Sequence, residues 1–67
     1  MTIDGSKIRV LREKANITLA QLGNVAGVSD IMMGYIERNK RAPNIDVTAR
    51  VADYFEVTID SLRFDEK

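Results

Sequence analysis

Residues 18–41 read TLAQLGNVAGVSDIMMGYIERNKR, two short apolar segments divided by a glycine and closed by a basic cluster. Thr18 and Gln21 have the spacing of a capping box: an N-cap hydroxyl accepts from the backbone amide three residues on, and the glutamine side chain returns the bond. A helix is therefore expected to start at Leu19. It must be short, because Gly27 follows after barely two turns, at a point where glycine takes positive φ without steric cost. Ser29 supplies the next N-cap, and Asp30 adds negative charge at the positive end of the helix it opens. That helix is expected to run to about Arg38, with Asn39 to Pro43 as a basic loop. It carries Ile31, Met32, Met33, Tyr35 and Ile36 almost in succession, more apolar residues than one buried stripe can take. Some of them must face something other than the core.

The flanking sequence is punctuated in the same way. Ile8, Leu11 and Ala15 recur at i, i+3 and i+7, with Val10 beside them, which predicts a helix over Lys7 to Ala15 and a left-handed stop at Asn16. Asn44 can cap a fourth helix in which Ile45, Thr48, Val51, Ala52 and Phe55 follow the 3.6 period, and Thr58 a very short fifth with Ile59 and Leu62. No stretch alternates for long enough to make a strand. Two short helices joined by a tight glycine turn are the helix-turn-helix arrangement, whose second helix can enter the DNA major groove. A generic helical bundle fits the spacing equally well.

Sixty-seven residues make one domain, expected to span 1–67, and a chain of this length buries only about 60% of the surface it exposes when unfolded. The core must be one small cluster. At 45% hydrophobic and 30% charged residues the chain is of ordinary globular composition. Without histidine or cysteine it has no disulfide, no zinc site of the usual kind and no imidazole-based triad. No metal, no cofactor and no enzymatic activity are expected; the acidic pair Asp65-Glu66 is too weak a signal for catalysis. No apolar run approaches the roughly 20 residues of a membrane span, and the chain reads as cytoplasmic. The net charge is zero but unevenly distributed. Residues 1–42 hold seven basic groups against four acidic, residues 43–67 three against six, so +3 cancels −3. Such asymmetry suits a protein with one side facing a polyanion.

The chain resembles the Cro-type, phage-repressor-like (Xre) helix-turn-helix proteins from Lys7 to about Leu62. KIRVLRE, ITLAQLG and AGVS carry the first part of the match, YIERNKRAPN and RVADYFEVTIDSL the second. The resemblance implies an all-α, compact five-helix domain, with the motif at about 18–38, that binds double-stranded operator DNA as a transcriptional repressor and homodimer. It places Leu22, Ala26, Val28, Met33 and Ile36 between the motif helices, and Gly23 where a small residue lets them cross. It also pairs Arg12 with Glu37, for which two independent surface charges are the alternative. Glu37 lies about 40° from Met33 on a helical wheel, near the core side.

What the third helix presents is less conventional. Family members offer polar residues to base edges, and commonly glutamine after the cap of the second helix. This chain offers Leu19 there, and Ser29, Asp30, Ile31, Met32, Gly34, Tyr35 and Arg38 on or beside the outward face. Three readings compete. Ile31 and Met32 can pack on thymine methyls while Tyr35 donates a hydrogen bond or stacks on a sugar, Arg38 reaches phosphate or guanine and Asp30 accepts from cytosine N4, with Gly34 admitting the backbone close to the groove. Alternatively, the apolar face binds a protein partner, or these residues are incidental. Lys40 and Arg41, with Lys7, Arg9 and Lys14 of the first helix, are candidates for phosphate contact, which gives affinity without sequence information. Ile59, Leu62 and Phe64 are candidates for the dimer contact; core closure is an equal alternative for the first two.

Overall fold

The computed structural model describes residues 2–65, and in it each of the four α-helices starts and stops on a local signal. Asp4 caps α1 (Gly5–Lys14) by accepting from Ser6 N–H. Thr18 and Gln21 form both bonds of the capping box that opens α2 (Leu19–Ala26). Ser29 caps α3 (Asp30–Glu37) and Asn44 caps α4 (Ile45–Phe55), each accepting from the amide three residues on. The C-terminal ends share one geometry as well. Asn16, Gly27, Asn39 and Glu56 follow the four helices in the left-handed region. After each of them, the next amide (Ile17, Val28, Lys40, Val57) donates back to a carbonyl five residues earlier. This is the closure that glycine and asparagine favour at helix ends.

The first helix starts two residues before the periodicity suggested, because the Asp4 cap lies ahead of its first apolar residue. The expected fifth helix is a single 3-10 turn, Asp60–Leu62, so the described residues form four α-helices rather than five. The reason is non-local. Arg63 is extended and forms an isolated antiparallel bridge with Ile3, Asp4 N–H donates to Leu62 O at 2.8 Å, and Phe64 N–H donates to Thr2 O at 3.3 Å. The two ends of the described chain are thus tied together, and the turn has no room to propagate.

Around these elements one core forms from Ile3, Ile8, Leu22, Ala26, Met33, Ile36, Val47, Val51, Ala52 and Leu62. Val28 packs against it half-buried. Ile45 does not join it. As the first residue after the Asn44 cap it points outward and is 68% exposed, and Val47 takes the inward position. Buried Thr48 satisfies its hydroxyl by donating to Asn44 O at 2.9 Å. The turn between α2 and α3 passes close to α2: a Cβ at Gly23 would stand 2.7 Å from Val28 O, so a side chain there would push on the backbone that leads into α3. Crossing and turn together fix how α3 projects from the domain.

Candidate nucleic-acid interface

Ser29, the N-cap of α3, is exposed, and its Oγ accepts from Met32 N–H at 3.0 Å. Beside it Asp30 accepts from Ile31 N–H at 2.9 Å, which turns its carboxylate toward the helix start. Ile31 is 66% and Tyr35 41% exposed, one turn apart. The Arg38 guanidinium lies over the Tyr35 ring, 5.5 Å from its centroid, a cation–π geometry. Asp30, Ile31, Tyr35 and Arg38 therefore form the open face of α3.

Three candidates for the reading face lie elsewhere. Gly34 is buried, roofed by Leu19 Cδ1 and Arg38 Nη1, each 3.7 Å from where its Cβ would be. Leu19 is half-buried against the core, acting as part of that roof. Met32 is half-buried as well and lines a hollow with Val28, Pro43 and Val47, on the side of α3 turned to α4. Wheel geometry placed Gly34 outward and Met32 at the margin; Leu19 of α2 and Arg38 at the end of α3 itself cover the first, and the segment around Pro43 the second.

The basic groups divide likewise. Lys40, Arg41, Arg38 and Tyr35 line one open hollow at the end of α3. Arg9 holds Glu13 at 3.2 Å and shares a second hollow with Leu19, Gly34 and Arg38, so it sits beside the α3 face. Lys14 is exposed in the last turn of α1. Lys7 is engaged within the chain: its Nζ donates to Arg63 O and to Asp65 Oδ1, both at 2.6 Å. Arg50 of α4, which periodicity left unremarked, brings its Nη1 to within 2.7 Å of where a Gly27 Cβ would be, and so adds charge beside the motif turn.

Beneath this surface Arg12 and Glu37 join α1 to α3. Nε donates to Oε2 at 2.7 Å, Nη2 to Oε1 at 3.2 Å, and Nη1 to Ile17 O at 3.0 Å. The hydrogen bond to Glu37, followed by the charge of the same carboxylate, raises the Arg12 pKa against the opposing effect of burial. Of the dimer candidates, Leu62 is core, 1% exposed, and Ile59 is half-buried against it; only Phe64 is exposed. Glu66, of the acidic pair, lies outside the described residues.

A helix-turn-helix family model matches residues 8–62, almost the span of the resemblance drawn from sequence. The chain belongs to this helix-turn-helix family. Among curated helix-turn-helix relatives, an uncharacterized HTH-type transcriptional regulator of Mycobacterium tuberculosis, present in two strains, is 36% identical over 58 residues. The match takes in 87% of this chain but 41% of the relative, so the chain spans about two fifths of its length. Among solved structures, the P22 c2 repressor in complex with a synthetic operator superposes with a TM-score of 0.87 at 27% identity, over 98% of this chain and all of that one. The DNA-binding domain of the same repressor in solution gives 0.79 at 31% identity, over 87% and 76%. A transcriptional regulator from Listeria innocua shares the fold, with a TM-score of 0.84 at 19% identity over 100% and 64%.

Proposed function

We propose that this helix-turn-helix domain is the DNA-reading part of a transcriptional regulator, a repressor, that inserts α3 into the major groove. The observation that carries the reading is the open face of α3, with Asp30, Ile31, Tyr35 and Arg38 on it and the cations Lys40, Arg41 and Arg9 along its border. Ile31 packs on thymine methyls, Tyr35 and Arg38 meet base edges or sugar and phosphate, and Asp30 accepts from cytosine. Lys40, Arg41, Arg9 and Lys14 hold phosphates. The repressor–operator complex to which the chain is similar supports the same reading. No helix among the described residues is long and apolar enough to cross a membrane. The role assigned is one of binding, with no catalytic step, in the cytoplasm.

A homodimer would span two half-sites about 34 Å apart, with Phe64 as its exposed anchor. One observation favours a second reading: Ile31 and Tyr35 are apolar where base readers are commonly polar, which suits a protein partner at α3. Selection from a random duplex library, at low and then higher salt, separates the two. Enriched palindromic sites whose affinity falls steeply with salt are the expected result. Weak, sequence-blind binding would leave the protein-interaction reading standing.

A further inference from the structure

The exit of α3 and the start of α1 are joined through one side chain. Asn39 follows α3 at φ 61, and it closes the helix there: its own N–H donates to Ile36 O at 3.1 Å and that of Lys40 to Tyr35 O at 2.8 Å. From this position the side chain reaches the first turn of α1. Asn39 Oδ1 accepts from Gly5 N–H at 2.8 Å, and Nδ2 donates to Asp4 Oδ1 at 3.3 Å. Gly5 N–H is one of the helix-start donors that no intrahelical carbonyl satisfies. Asp4 accepts the next one, from Ser6, so cap and asparagine share the work. The approach is close enough to exclude a side chain, since a Cβ on Gly5 would stand 1.8 Å from Ile36 O.

Directly beyond Asn39 come Lys40 and Arg41, exposed and without an ion-pair partner among the described residues. Their backbone amides both donate to Tyr35 O, at 2.8 and 3.4 Å, which fixes the turn at its α3 side. On the other side, Asn39 ties it to the start of α1.

We infer that Asn39 is a positioning residue for DNA binding: it bolts the turn after α3 to the start of α1, so that Lys40 and Arg41 are in place before phosphate arrives. The inference rests on the proposed phosphate contacts of those two residues. A loop ordered in advance does not have to be ordered on binding, and that raises affinity. Because phosphate contacts carry no sequence information, the gain is the same for every duplex.

Asn39→Gly tests this, since glycine takes the left-handed conformation without steric cost while losing both side-chain hydrogen bonds. Binding is followed by fluorescence anisotropy on one selected and one unrelated duplex, well below the melting temperature of each variant. The wild type, Asn39→Gly, Lys40→Ala/Arg41→Ala and the triple variant are compared. Asn39→Gly is expected to weaken both duplexes equally, by about fivefold, the equilibrium worth of one net hydrogen bond. The triple variant should bind no more weakly than Lys40→Ala/Arg41→Ala. Wild-type affinity in Asn39→Gly, or the same loss in the background lacking both cations, would overturn the inference. If Lys40→Ala/Arg41→Ala itself binds like the wild type, the phosphate reading fails and takes this inference with it.

Discussion

Arg12 and Glu37 form a two-pronged pair with side chains only 15% and 4% exposed. Burial makes the pair a poor source of net stability but makes either half costly alone. Glu37→Ala is expected to lower stability by about 3 kcal/mol through the stranded guanidinium, measured by denaturant melts. A wild-type melt would contradict the pairing role. Asp4 predicts a pH effect. Partial burial acts to raise its pKa, but hydrogen bonds from Ser6 and Asn39, with Lys7 nearby, outweigh it, and the folded value is lowered. The stability this contributes is complete above the unfolded carboxylate value of about 4 and is lost as pH falls through the folded one. Asp4→Ala should be less stable at pH 7, by about 1 kcal/mol for a lost cap, and the gap to wild type should shrink on acidification. On α3, Ile31→Ala or Tyr35→Ala should change which duplex is preferred, whereas Arg41→Ala should weaken all duplexes alike and reduce the salt slope by about one.

Whole elements follow the same local logic, and one of them is imperfect. Glu56 ends α4 at φ 58, a conformation that costs most L-residues about 1 kcal/mol. Glu56→Gly should therefore raise stability by a few tenths to about 1 kcal/mol, provided the Val57 closure persists; a lower melting temperature would show that the glutamate side chain contributes something else. The helix starts at Thr18, Ser29 and Asn44, and the stops at Asn16 and Gly27, were legible because each is written within four residues. The third helix was legible as an element for the same reason. What was not legible depended on distant chain. The 3-10 turn stays one turn long because Arg63 is held by Ile3, and Gly34 and Met32 are covered by Leu19 and by the segment around Pro43. A helical wheel knows the angle of a residue and nothing of what other elements place over it.

At the scale of the molecule, charge along the sequence was only a partial guide to charge in space. Lys7 belongs to the basic part of the sequence yet is held by Asp65 and Arg63 O, while Arg50 belongs to the acidic part yet lies beside the motif turn. The two ends of the described chain meet at the Ile3–Arg63 bridge, and Phe64 stands exposed beside it. For the proposed homodimer, Phe64→Ala is expected to reduce the dimer fraction in sedimentation without unfolding the domain, and an unchanged fraction would contradict its role as the anchor. The central claim is that α3 reads sequence. Its most direct test is the ratio of affinities, at fixed salt, for a duplex enriched by selection and for one of the same composition with its sequence scrambled. A ratio of about a thousand or more is predicted for the wild type, collapsing in Ile31→Ala/Tyr35→Ala while binding to the scrambled duplex is retained. Equal affinities for the two duplexes, or a ratio that the double substitution leaves untouched, would contradict the claim.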